Sequence, residues 1–480
     1  MRYIFLAIIT SFVYNSHAQN YDFEKSYTPI KFEGKIPDEF LSDVTEVTKA
    51  ELKKEKELSK SGAKEFYTET NFAQKSLMSS GIVYFNDPLS EMVNKIASKL
   101  LEQLDDKSLT NNLRFYVTKF DVPNATCWRN GYIYFNLGLL RDLENEAQIA
   151  FILCHEIIHY QEQHSFNYYK KTTDLSKKEK KAEKKRQKEL SDVVDKEEDK
   201  FLRDMKYSRE NETEADIKGF ELYTKTKYDI NEAVNALKVL ATYRETPEYF
   251  IPSDLFALFD SEGYELDTSD LYEDEIMDTV FIEAKEIDTD SLEFYSTHPD
   301  IIKRIEALEE KIEAMNVKDN NGVKFQYYKN NWEDYKTMMD FEFISFYDEV
   351  GAYNSLFYKT YKMLQDYPEN EYLITQHAKS LFWLGVYADS REIYRLGKRE
   401  VFNDKNYVLY TLGKVLRDKG FIQSQFETME KKYPNSEAVK VYSLRYDEVV
   451  KNKRNSKEYK ELSGSNDEFS NFIKYKSKGR

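Results

Sequence analysis

The chain has 480 residues, more than one ordinary domain holds, so two or three domains are expected. Hydrophobic residues make up 41% and charged ones 32%, with 38 Tyr and 31 Phe, a composition that excludes a disordered chain. The formal net charge of −16 excludes general affinity for nucleic acid or anionic lipid, since both require an excess of Lys and Arg.

The first residues read as a secretory signal peptide over 1–18. Arg2 supplies the positive start, Tyr3 to Tyr14 a short apolar core, and Ser16-His17-Ala18 small residues before a cut at Gln19. That core is too short to span a bilayer, and no later run approaches about 18 apolar residues. An exported, periplasmic protein with no transmembrane segment in the mature chain is therefore expected. Cys127 and Cys154 are the only cysteines and are expected as free thiols.

Residues 19–75 read as an arm with a charged helical stretch from Pro37 to Lys60. Asp87-Pro88 opens a predicted helix with a stripe of Met92, Ile96, Leu100 and Leu104. Two strand-like runs follow, one with Leu113, Phe115 and Val117, the other Gly131 to Phe135. Asn145 to His164 then reads as a single amphipathic helix, with Asn145 and Gln148 in a capping-box pattern. The charged stretch Lys170 to Asp204 reads as a solvated helix or loop, because acidic residues neutralise its lysines. Helices over Asn211–Thr224 and Asp229–Tyr243 precede an acidic segment between Asp254 and Asp290. Ser296-Thr297-His298-Pro299 then introduces a helix carrying Ile301, Ile302, Ile305 and Leu308.

The last third changes character. Gly351, Gly385 and Gly420 recur at spacings of 34 and 35, and Pro368 and Pro434 follow Tyr367 and Tyr433. A period near 34, with 15 Gly and 9 Pro in the whole chain, points to stacked helix pairs of the tetratricopeptide kind.

The chemistry is carried by His155-Glu156-Ile157-Ile158-His159. Spacing of four on a helix puts both imidazoles on one face, where both can reach one metal ion. Two neutral imidazole nitrogens suit zinc, and Glu156 is placed to take a proton from water activated there. A catalytic zinc site takes a third protein ligand. The best candidate is Glu212, in Ser208-Arg209-Glu210-Asn211-Glu212-Thr213-Glu214-Ala215-Asp216, although Glu210 and Glu214 compete by chemistry alone. Glu212 and Asp216 are again four apart, so one can bind metal while the other accepts from the outer nitrogen of a liganding His.

HExxH followed some 50 residues later by Ser-Arg-x-x-Glu-x-x-Ala-Asp resembles the gluzincin peptidases of the CAAX prenyl endopeptidase, HtpX and BepA kind. Asn124-Ala125, Asn130-Gly131-Tyr132-Ile133, Gly138-Leu139-Leu140, Asn145-Glu146-Ala147, His164 and Thr297-His298-Pro299 with Arg304 add to the resemblance. It implies one zinc ion per chain on His155, His159 and Glu212, with Glu156 as general base and Asp216 in support. It also implies that His298 stands near the metal, as oxyanion stabiliser or resting fourth ligand, and that the strand around Tyr132 is the edge that pairs with substrate. Ile158 departs from the family by replacing a small residue before the second His.

The expected fold class is mainly α. An α+β zincin-type peptidase domain over 76–335, with a small sheet beside the HExxH helix, is followed by helical repeats over 336–480. The expected function is zinc-dependent hydrolysis of peptide bonds in unfolded or misassembled envelope proteins, with polypeptide substrates and envelope partners bound by the repeats. One rival is a periplasmic scaffold or chaperone with a latent zinc site. Another is amide or ester hydrolysis of a small molecule.

Overall fold

The computed structural model describes residues 22–31, 44–104, 107–171, 194–245, 264, 301–315, 322–387 and 418–450, with side chains 107–109, 194–208, 242–245, 387 and 449–450 excepted. The expected signal peptide, His298 and most of both the charged stretch after Lys170 and the acidic segment lie outside the described residues. The chain divides into two compact units, one formed mainly by 29–352 and the other by 1–28, 353–389 and 417–480.

The first unit is mainly helical around a small sheet. Its helices are α1 (Val44–Lys54), α2 (Lys60–Ser79), α3 (Pro88–Leu101), α4 (Lys107–Asn112), α5 (Leu137–Asp142), α6 (Glu146–Gln161), α7 (Val194–Tyr223), α8 (Asn231–Glu245), α9 (Ile301–Ala314) and α10 (Trp332–Val350). Asp87 caps α3 by accepting from the N–H groups of Leu89 and Ser90, and Pro88 occupies the first turn. Leu89, Met92, Val93, Ile96, Ala97 and Leu100 of that helix are fully buried. Leu104 falls beyond its end and is half-buried.

Three strands, β1 (Arg114–Thr118), β2 (Ala125–Cys127) and β3 (Tyr132–Asn136), form a sheet in the order β1-β3-β2. β1 runs parallel to β3 and β2 antiparallel to it. The strand around Tyr132 is thus central, which corrects its expected role as the edge. The segment 82–84 covers the outer side of β1 through Tyr84 N–H to the Val117 carbonyl at 2.9 Å and Lys119 N–H to the Ile82 carbonyl at 2.9 Å. β2 is the open edge among the described residues. Gly131, at φ +87°, closes the β2–β3 turn, where its N–H reaches the Trp128 carbonyl at 2.9 Å.

α6 runs through the centre of this unit, packed by α7, α8, α3 and β2, and is buried continuously from Glu146 to Ile158. Its apolar residues all round, rather than one stripe, match a helix enclosed on every side. Asn145 caps it, accepting from Gln148 N–H at 3.1 Å, while Gln148 Oε1 accepts from Glu144 N–H at 2.8 Å, one residue earlier than a reciprocal capping box requires. Glu146 fixes the same end. Its carboxylate accepts from the Tyr228 hydroxyl and from the N–H groups of Gln326, Tyr327 and Tyr328 at 3.1, 2.9 and 3.2 Å.

The predicted single helix to His164 is broken. α6 ends at Gln161, Gln163 takes a left-handed φ of +54°, and helix resumes over 164–171. α9 also differs from expectation. Ile301, Ile305 and Leu308 are buried, but Ile302 is half exposed and the buried stripe is completed by Arg304.

In the second unit α11 (Tyr353–Asp366) pairs with α12 (Glu371–Tyr387), and α13 (Lys419–Lys432) with α14 (Glu437–Val450). Each pair is joined by a short turn containing Pro368 or Pro434. Phe357 packs on Phe421, and Phe382 on Tyr442. The Cα of Gly385 lies so close to Tyr446 that a Cβ would stand 2.3 Å from its ring. The three recurring glycines do not share one role: Gly351 ends α10 at φ +73°, Gly385 lies within α12, and Gly420 lies in the first turn of α13.

Candidate active site

Two helices distant in sequence meet at one point. On α6, Nε2 of His155 and Nε2 of His159 lie 2.9 Å apart. Glu212 of α7 places Oε2 3.5 Å from the first nitrogen and Oε1 3.4 Å from the second. Ligand atoms around a tetrahedral zinc, at about 2.0–2.1 Å from the ion, stand about 3.3 Å from one another, so this trio fits the ion. Among the described residues these are the only His, Cys, Asp or Glu side chains grouped to hold a metal ion.

The approach of α7 to α6 depends on Gly219. A Cβ there would lie 3.0 Å from the His155 nitrogen and 3.1 Å from its Cα. Glu212, Asp216 and Gly219 occupy one stripe of α7, so the contact that admits the glycine also aims both carboxylates at the histidines.

Each imidazole is held from behind. Nδ1 of His155 lies 2.8 Å from Asp216 Oδ1, so with the proton there its Nε2 lone pair faces the point shared with His159 and Glu212. Asp216 is held in turn by Arg304, whose Nε and Nη2 donate to its two oxygens at 2.5 and 2.9 Å. Arg304 Nη1 also stands 3.1 Å from Glu212 Oε2. Burial acts to raise the Asp216 carboxyl, but Arg304 and His155 outweigh it and lower its pKa. Burial likewise opposes the charge on His155, yet Asp216 and Glu212 raise its pKa to about 10. Glu156, Glu212, Asp216 and Arg304 are all buried, leaving a carboxylate excess of the kind a divalent cation balances.

His159 is held differently. Its Nδ1 lies 2.9 Å from Nδ1 of His164, whose Nε2 faces Glu214 Oε2 at 3.3 Å. A proton on His159 Nδ1 and another on His164 Nε2 satisfy the whole chain, with both Nε2 atoms of the HExxH pair turned to the ion. Burial lowers the His164 pKa more than Glu214 raises it, which favours the neutral ring needed to accept that bond. The break at Gln163 makes the contact possible, since five residues along an unbroken helix the two rings would point apart.

His164 and Arg304 carry no role legible from spacing or periodicity, yet both hold the imidazoles in place, Arg304 through Asp216. Glu214 faces His164 rather than the metal point, and Glu210 is exposed. Cys127 and Cys154 are free, the former half-buried and the latter buried.

Glu156 is buried beside the trio and, with His159, floors a cleft of about 530 Å³. One wall is β2 and the following turn, Ala125 to Arg129; the other is α2, with Phe66, Glu69, Thr70 and Ala73. Asn136 N–H bonds the Asn124 carbonyl and Trp128 N–H the Tyr132 carbonyl, at 3.0 and 2.9 Å. By antiparallel alternation Thr126 faces β3, and the backbone groups of Ala125 and Cys127 turn away from it, on the open side of the edge. Of these, the Cys127 carbonyl accepts the Ser165 hydroxyl at 3.2 Å.

Residues 89–312 match the family model described as Peptidase family M48. This segment is similar to the M48 peptidases. The M48 peptidases are zinc-dependent metalloendopeptidases, and the His155, His159 and Glu212 trio lies within the matched segment. The match leaves α1 and α2 before it and α10 to α14 after it. No curated protein matches the chain. No described helix is long and apolar enough to cross a membrane.

Proposed function

We propose that this enzyme is exported to the periplasm and cleaves unfolded or misassembled envelope polypeptides bound as an extended strand along β2. The observation that carries the catalytic part is the convergence of the His155, His159 and Glu212 donor atoms beside buried Glu156, on the floor of a cleft with an open strand edge.

His155, His159 and Glu212 would hold the ion. Zinc there supplies Lewis acidity, lowering the pKa of water towards about 7 and polarising a carbonyl. Glu156 accepts the proton of the attacking water and delivers it to the leaving amine as the carbon–nitrogen bond breaks. Asp216 and His164 fix the tautomers of the two imidazoles, and Arg304 keeps Asp216 ionised. The outward backbone groups of β2 pair with the substrate backbone, so recognition by main-chain bonds accepts many sequences provided they are unfolded. His298 is proposed, from the resemblance to HtpX- and BepA-type peptidases, as the group that bears developing oxyanion charge or closes the site at rest.

Tetratricopeptide-like repeats in the second unit are part of the proposal. The hairpins α11–α12 and α13–α14 begin close to two repeat lengths apart, and each carries Tyr-Pro at its turn. Such repeats would bring envelope partners to the enzyme. Export rests on the apolar, small-residue start of the chain.

The test is cleavage of an unfolded protein such as casein by the purified chain. Cleavage lost with chelator, restored by zinc and absent in Glu156→Gln supports the reading. Cleavage that persists in Glu156→Gln would overturn it.

A further inference from the structure

We propose that α2, which lies before the family-matched segment, selects substrates by an ion pair between Glu69 and a Lys or Arg side chain of the bound polypeptide. The inference rests on the reading of the cleft as the substrate site and adds the side-chain class that it prefers.

α2 reaches the cleft because it is docked on the β2–β3 turn. Arg129, in that turn, lies with its guanidinium 3.4 Å from the Phe166 ring centroid and 5.4 and 5.9 Å from those of Tyr67 and Phe66. Its charge is matched by Glu55, 3.6 Å away. Asn130 donates to Gln74 Oε1 at 2.6 Å. These contacts hold the helix against the hairpin whose edge faces the substrate.

Phe66, Glu69, Thr70 and Ala73 then form one stripe, spaced three and four apart, facing the cleft. Phe66 is buried, and Thr70 and Ala73 are small enough to leave room beside it. Glu69 makes no hydrogen bond or ion pair among the described residues and is exposed. Among the described residues the one Lys or Arg side chain lining the cleft, Arg129, already has its carboxylate partner. A peptide paired to β2 turns alternate side chains to opposite sides, so one side chain in two faces this wall. A long basic side chain fits it best, its methylenes on Phe66, Ala73 and Trp128 and its charge at Glu69. An acidic side chain would meet Glu69 and Glu156 together.

Binding tests this without cleavage. The full-length Glu156→Gln chain, loaded with zinc, is titrated into fluorescein-labelled unstructured peptides carrying a single Lys at each position in turn, and into twins with Gln or Glu there. At one position Lys should bind about threefold to fivefold tighter than Gln, the size of an exposed pair, with the difference fading at about 0.5 M salt. Glu69→Gln should remove the preference, and Glu69→Lys should transfer it to the Glu peptide. Equal binding of Lys and Gln twins at every position, or a Lys preference that survives Glu69→Gln, would overturn the proposal. A Lys preference lost in Glu69→Gln, alongside a wild-type chain that cuts nothing, would uphold it while refuting the peptidase reading.

Discussion

Arg304 grips Asp216 through two hydrogen bonds across 88 residues of sequence, and both side chains are almost wholly buried. The pair locks α9 to α7 at the place where α7 presents Glu212 to the histidines. A charge buried in this way acts on stability and on the metal together.

Removing that charge should show both effects. Arg304→Met leaves Asp216 and Glu212 without their buried counter-charge, which should cost about 3–5 kcal/mol in the metal-free protein. The zinc-loaded protein should lose less, because the ion replaces part of the missing positive charge. Denaturant melts with and without zinc measure the difference, and equal losses in both forms would refute this role for Arg304.

Asp216→Asn tests tautomer control. An amide can still bond to Nδ1 of His155, but it no longer stabilises the ring as a carboxylate does. Zinc affinity should fall by about 10–100-fold in a competitive chelator titration. His164→Leu, which removes the acceptor for His159 Nδ1, should fall in the same direction, whereas Glu214→Gln should change little because Glu214 is half exposed. Unchanged affinity in Asp216→Asn would contradict the arrangement.

Gly219→Ala tests the helix contact. The added carbon meets the backbone of His155, not a flexible side-chain tip, so α7 must shift from α6. The expected cost is about 1–3 kcal/mol, with weaker zinc binding because Glu212 rides on the same stripe. Full stability and full zinc affinity would mean that the approach is looser than these distances describe.

Much of this centre was legible in the sequence, and the remainder was hidden for identifiable reasons. The apolar run of α6 and its Asn145 cap mark the helix, and spacing of four aims His155 with His159 and Glu212 with Asp216. Arg304 is invisible to a reading that notes only the apolar residues Ile301, Ile302, Ile305 and Leu308; only the buried carboxylates of another helix make a charge stable there. His164 depends on a left-handed Gln163, a residue type that carries no turn signal. β2 is three residues long, too short for alternation to register, and it, not the Tyr132 strand for which the resemblance implies that role, is the edge. The cleft wall on α2 is built by contacts across more than fifty residues, and no local pattern announces it.

The second unit offers a pH test. His377 is buried, 2.8 Å from Thr360 Oγ1, and burial lowers its pKa to about 3. The unfolded chain binds a proton near pH 6.5 and the folded one does not. Stability from this group is therefore complete above about pH 6.5 and is lost as pH falls from there towards 3, by up to about 1.4 kcal/mol per pH unit. His377→Gln should flatten that slope in urea melts monitored on Trp383. An unaltered slope would mean that another group titrates.

Zinc content by elemental analysis, on wild-type chain and Glu212→Ala purified side by side, is the most direct measurement. One ion per wild-type chain and almost none in the variant is the predicted result. Full zinc in Glu212→Ala, or none in the folded wild type, would contradict a centre built from α6 and α7.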